Sequence, residues 1–261
     1  MTVTRRRFIQ CALAMASALL LPLRTESSQP SKTEPWSPAY ERLQKAGRLT
    51  ERVEQAFAQF SECRLCPRQC GVNRLKCETG CCRAPVQAMN YSAYPHFGEE
   101  DALMGPHGSG KIFFSNCNLR CVFCRNRPIS NEGRGAEISD EDLAAGMLKP
   151  QAIGCHNINL ITPTHVMPNI LKATHFACQQ GLRIPLLHNT NGYERVEILR
   201  LLEGIVDLYL PHLKFMHADK AEEYLEAMAR AGGAGLAHLN PRSIKVRNFY
   251  RAESSSPQRM K

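Results

Sequence analysis

The chain has 261 residues, 43% of them hydrophobic, and a formal net charge of +9. That length bounds it to one large domain, or one domain with a small appendage. The surplus charge lies in residues 1–24 and 242–261 and no basic stripe with interleaved aromatics joins the two ends, which argues against a nucleic-acid partner.

Residues 1–24 hold Arg5-Arg6-x-Phe8-Ile9 ahead of an apolar run containing Cys11. The run is short for a membrane span but suits a twin-arginine export leader or a retained anchor. The expected location is therefore exported or membrane-associated, with the cytoplasm as the alternative. Residues 25–60 read as a Pro/Ser-rich linker followed by a helix over 39–60, where Leu43, Ala46, Leu49, Val53, Ala56 and Phe57 recur at helical spacing. Residues 61–98 read as a loop-rich, cysteine-rich metal-binding segment.

From residue 111 a β/α beat sets in. "KIFFSN", "NINLIT", "IPLLHNT" and "VDLYLPHL" read as buried strands. The stretches "DEDLAAGMLKPQAIG", "HVMPNILKATHFACQQG", "RVEILRLLEG" and "DKAEEYLEAMARAGG" read as the helices between and after them, the first ended early by Pro150 and the second tolerating Pro168 in its first turn. Four such units imply a parallel sheet, with chemistry gathered at the carboxyl ends of its strands. After Gly233 the beat fails. "SIKVRNFY" reads as a fifth short strand, and 251–261 as a basic tail.

Two cysteine groups carry the chemistry. Cys117, Cys121 and Cys124 stand at C-x3-C-x2-C spacing within "SNCNLRCVFCRN". A closed zinc site takes four ligands, whereas three thiolates on one tight loop hold three corners of a [4Fe–4S] cube and leave the fourth iron open. By spacing alone, three corners of a zinc site with a distant fourth ligand remains the other reading. Cys63, Cys66, Cys70 and Cys82 form a four-ligand set for a second metal site, either zinc or a second iron–sulfur cluster. Cys77 and Cys81 are additional to it, and Cys155 and Cys178 read as core.

"GSGKIFFSNCNLRCVFCRN" closely resembles the radical S-adenosylmethionine (radical SAM) enzymes, in the branch related to pyruvate formate-lyase activating enzymes. The resemblance extends over "CRLCPRQCGVNR", "YPHFGEE", "HNINLITPTH", "LLHNTNGY" and "VDLYLPHLKF", about residues 60–225. It implies an α/β fold, a partial (β/α) TIM-like barrel over 105–250 that reads as truncated at its C-terminus and carries a cysteine-rich N-terminal appendage. It also implies that Cys117, Cys121 and Cys124 bind a [4Fe–4S] cluster whose open iron chelates S-adenosylmethionine. A low-potential electron donor would then drive reductive cleavage to a 5′-deoxyadenosyl radical, for glycyl-radical activation of a protein partner. The same resemblance places Phe123 against the adenine, Thr162 and Pro163 near the SAM amino group, and Asn189, Thr190, Asn191 and Gly192 at its carboxylate and ribose.

His212 departs from the pattern, standing where the family has Asp; Lys214 remains. The competing expectations are a noncatalytic iron–sulfur protein and a zinc-binding module. His165 and His188 read as polar strand-end residues rather than ligands. "GPHGSGK" at 105–111 satisfies the phosphate-loop spacing, but Ile112 and a strand follow it where Ser or Thr and a helix are required.

Overall fold

The computed structural model describes residues 36–212. The leader, most of the linker, Lys214, the fourth helix, the fifth strand and the basic tail lie outside them.

A six-stranded mixed sheet organises the α/β fold, in the order β3-β1-β2-β4-β5-β6. Strands β2 (Ser109–Phe114), β4 (Ile158–Ile161), β5 (Leu186–Thr190) and β6 (Leu208–Pro211) are the four expected from the β/α beat. They pair in parallel, Ile112 opposite Leu160, Leu160 opposite His188, and His188 opposite Tyr209. Among the described residues the sheet does not close. Its other side continues through β1 (Ala88–His96) and β3 (Ala136–Ile138), both antiparallel.

Strand β1 adds a regular element to the segment 61–98 that reads as loop-rich in sequence. Most of its nine residues are not buried, so the stretch lacks the apolar run that marks β2, and Pro95 is tolerated in it. The expected helix over 39–60 is two helices, α1 (Ala39–Lys45) and α2 (Arg48–Ala58). Gly47 separates them with φ 69°, a left-handed value that glycine adopts at little cost.

Short α3 (Arg127–Ser130) follows the cysteine loop. Helix α4 (Asp140–Ala152) starts at Ser139, whose hydroxyl accepts from Asp142 N at 3.0 Å, with three acids in its first turn. It runs through Pro150 rather than stopping there. Pro150 lies in the last turn, where the lost hydrogen bond matters least, and its ring fills the space above Gly110; a Cβ on that glycine would stand 2.4 Å from Pro150 Cβ. Helix α5 (Met167–Gln179) carries Pro168 in its first turn, as expected. Helix α6 (Val196–Leu202) precedes β6.

One core lies between these helices and one face of the sheet. Ile112, Phe114, Ile158, Leu160 and Leu186 from the strands meet Leu143, Met147, Ile170, Ala173, Ile198 and Leu202 from the helices. Tyr40, Leu49 and Phe60 close it from the N-terminal side and are fully buried, contributing about 1.5–3 kcal/mol each. Tyr40 also donates its hydroxyl to Ile184 O at 2.9 Å. Cys63 and Leu65 belong to the same core, so the cysteine-rich segment is seated on the sheet's helical layer. Cys155 and Cys178 are buried, as expected. No helix among the described residues is long and apolar enough to cross a membrane.

Candidate metal and cofactor site

The parallel order places the carboxyl ends of β2, β4, β5 and β6 along one edge. Cys117, Cys121 and Cys124 follow β2, Thr162 and Pro163 follow β4, Asn191 and Gly192 follow β5, and His212 follows β6. The strand-end residues singled out in sequence thus share one rim.

Donors converge on the loop sulfurs. Cys117 Sγ accepts from Leu119 N at 3.4 Å and from Asn191 Nδ2 at 3.5 Å. Ser130 Oγ donates to Cys124 Sγ at 3.1 Å. Burial pushes the Cys117 thiol up, while the N–H groups of Arg120 and Leu119 and the Asn191 amide pull it back. N–H and O–H groups aimed at sulfur favour the thiolate, the form that ligates metal, so this donor set fits a cluster held by Cys117, Cys121 and Cys124.

The loop is braced from outside. Asn118 is fully buried, accepts from Asn191 Nδ2 at 2.7 Å and donates to Tyr193 O at 2.8 Å. Tyr193 N in turn donates to Asn191 Oδ1 at 3.0 Å. Arg68 Nε reaches across from the cysteine-rich segment to Asn118 O at 2.7 Å. The Asn191 amide, assigned by resemblance to the SAM carboxylate and ribose, is engaged here with Cys117 and Asn118. Gly192 follows with φ 79° and donates its N–H to Thr190 Oγ1 at 3.1 Å. Asn189 Oδ1 lies 2.9 Å from His212 Nε2, and Asn189 O accepts from Thr162 N at 2.9 Å. Pro163 is buried, and Phe123 is 51% exposed, which excludes a role in core packing.

Among the described residues the non-glycine positions with positive φ are Gln69, Cys77, Arg83, Asn116, Arg120 and Thr162. All lie in the two cysteine segments or at the end of β4. Each left-handed residue costs about 1 kcal/mol or more, so backbone strain is concentrated around the cysteines.

The second group lines a cavity of about 10 Å³, bounded by Cys63, Cys66, Cys70, Cys81 and Cys82, together with Leu65, Arg68, Arg74 and His165. Cys81 joins the expected set and Cys77 is exposed. A hydrogen bond from Cys70 brings the Cys63 thiol down to about 7, while burial pushes Cys66 up to about 12 and raises Cys82. His165 is 2% exposed, and its Nε2 lies 2.7 Å from Ser115 O, two residues before Cys117. Burial lowers His165 to about 4, so its ring is neutral. Among the described residues no three Cys, His, Asp or Glu side chains are gathered as a metal-binding group.

Beneath the rim sits a residue that sequence reasoning passed over. Glu194 is buried, and its Oε1 accepts from His188 Nε2 at 2.6 Å and from Thr164 Oγ1 at 2.9 Å. It ties the β4 loop to β5. His188 is thereby a strand-end polar residue, as expected. Its partner six residues on carries no periodic signal that would have flagged it.

No family model matches the chain. It is 35% identical over 176 residues to a protein of Methanocaldococcus jannaschii described as uncharacterized, a match covering 64% of this chain and 49% of that protein. The chain thus spans about half the length of the curated relative it matches.

Proposed function

We propose that this chain is a radical SAM iron–sulfur protein of the activating-enzyme-like branch, with the open sheet forming part of a β/α barrel. The observation that carries the reading is the loop after β2: three cysteines at C-x3-C-x2-C spacing on the carboxyl rim of a parallel sheet, with N–H and O–H donors directed at Cys117 and Cys124. Cys117, Cys121 and Cys124 would hold a [4Fe–4S] cluster, which supplies one-electron reduction of bound S-adenosylmethionine. The chain's own part is to orient and shield. Asn191 and the backbone N–H of Leu119 tune Cys117. The ends of β4 and β5, with Thr162, Pro163, Asn189, Thr190 and Gly192, line the rim on which SAM would lie. Exposed Phe123 offers a ring face for the adenine. A low-potential electron donor and a protein substrate belong to the same proposal, as does export or anchoring through Arg5 and Arg6.

Anaerobic reconstitution with iron and sulfide, followed by reduction in the presence of SAM, tests the reading. Release of 5′-deoxyadenosine, abolished in Cys121→Ala together with iron at the loop, is the expected result. A cluster that forms without cleaving SAM would favour the noncatalytic alternative, in keeping with the engagement of the His212 ring by Asn189. Failure to take up iron would refute both.

A further inference from the structure

Arg74 is 1% exposed. It donates Nη1 to His165 O at 2.7 Å and Nε to Pro85 O at 3.1 Å, with Nη2 directed at the same proline carbonyl. Its guanidinium carbon lies 4.1 Å from the centre of the Phe60 ring. The acidic groups beside it are thiols, those of Cys82, Cys63 and Cys70. A buried guanidinium needs compensating negative charge, and here thiolates are the groups placed to supply it.

His165 points the same way. A carbonyl only accepts, so the contact with Ser115 O requires the proton on Nε2. Nδ1 therefore carries the lone pair, and it is buried without a hydrogen-bond partner on a residue lining the cysteine cavity. An imidazole whose other nitrogen is fixed by a backbone carbonyl is the usual arrangement of a metal ligand.

We infer that this cavity is a mononuclear zinc site, bound by the thiolates of Cys63, Cys70 and Cys82 and by Nδ1 of His165. A cavity of about 10 Å³ offers room for a single ion. Zinc with three thiolates is −1, and Arg74 neutralises it. Cys66 and Cys81 line the same cavity, but the thiols beside Arg74 are Cys82, Cys63 and Cys70. Tetrahedral binding would require the four side chains to turn onto a common point. The ion would then fasten the cysteine-rich segment to the loop of Cys117 through one residue, since the ligand His165 also holds Ser115 O.

The test uses the full chain with Cys117→Ser, Cys121→Ser and Cys124→Ser combined, so that its outcome does not depend on the proposed cluster. The stripped protein is titrated anaerobically with Zn²⁺ and studied by X-ray absorption at the zinc edge. We expect one zinc per chain, with three sulfurs at about 2.3 Å and one nitrogen at about 2.0–2.1 Å. His165→Ala should weaken Zn²⁺ binding by more than the roughly 10- to 100-fold that loss of an outer partner costs. His165→Cys should keep the ion and change the shell to four sulfurs, and Cys66→Ser and Cys81→Ser should bind as the parent does. Four sulfurs and no nitrogen in the parent, uptake of iron with sulfide in place of zinc, or undiminished affinity in His165→Ala would overturn the assignment.

Discussion

Replacing Glu194 should unfasten the two strand ends beneath the rim. In Glu194→Ala the buried N–H of His188 and hydroxyl of Thr164 lose the oxygen they share, at 2.6 Å and 2.9 Å. A buried donor left unsatisfied costs about 1–3 kcal/mol, and two are left here, so a loss of about 3 kcal/mol, toward the lower part of their sum, is expected. At about 2–4 °C per kcal/mol for a chain of this size, the melting temperature should fall by roughly 6–12 °C. Glu194→Gln keeps an acceptor at Oε1 and should lose about half as much. The wild-type pH dependence supplies a second readout. Burial raises the Glu194 carboxyl, but His188 and the hydrogen bonds from His188, Thr164 and Thr190 outweigh it, and the net shift is down. A depressed folded value means the contribution is complete above the ordinary carboxylate value of about 4.3 and is lost as pH falls through the lower folded value. Thermal melts of the three proteins between about pH 7 and pH 3 should therefore converge toward the acid end. If Glu194→Ala melts within about 2 °C of wild type at pH 7, or the difference persists unchanged in acid, the ionised buried network is not what joins β4 to β5.

Gly110→Ala should destabilise by about 1–3 kcal/mol in urea unfolding, since its Cβ would collide with Pro150 and stand 3.1 Å from Asn157 O. Gly146→Ala, with no neighbour within 4 Å of the added Cβ and a place inside α4, should instead stabilise by about 0.5–1 kcal/mol. Tyr40→Phe removes the bond to Ile184 O while keeping the buried ring, and a loss of about 0.5–1.5 kcal/mol is expected in the same assay. Arg68→Ala should cost about 1.5–3 kcal/mol of local stability at the cysteine loop, read as faster amide hydrogen exchange over residues 116–124 with the sheet core unchanged.

The parallel part of the sheet was legible because each strand is a short apolar run bounded by turn residues, and each helix carries an N-terminal acid, a proline or a closing glycine. Strand β1 was not legible. Its side chains are mostly half-buried or exposed, and its antiparallel pairing to β2 sets Tyr94 opposite Lys111, a relation no local pattern records. The split between α1 and α2 turned on Gly47 alone, and a glycine inside a periodic helix pattern is ambiguous until its φ is known. The cysteines declared themselves by spacing. The residues that hold them did not. Asn118 is an unremarkable polar residue in sequence and fully buried in the fold, while Arg74 and His165 are 91 positions apart and meet through a main-chain carbonyl.

The arrangement of these unseen partners explains how a strained loop persists. Asn116 and Arg120 hold left-handed φ values on either side of Cys117, a conformation an isolated peptide would leave. It is over-determined by contacts from separate parts of the chain. Arg68 of the cysteine-rich segment binds Asn118 O, His165 of the β4 loop binds Ser115 O, and Asn191 of the β5 loop binds both Asn118 and Cys117. Each brace uses a polar group of the cysteine loop that β2 leaves unpaired, so satisfying the backbone and fixing the sulfurs are one event. The cysteine-rich segment therefore acts as structural support for the C-x3-C-x2-C loop. A change that frees the C-x3-C-x2-C loop from Arg68 or His165 should be felt at Cys117 before it is felt in the sheet.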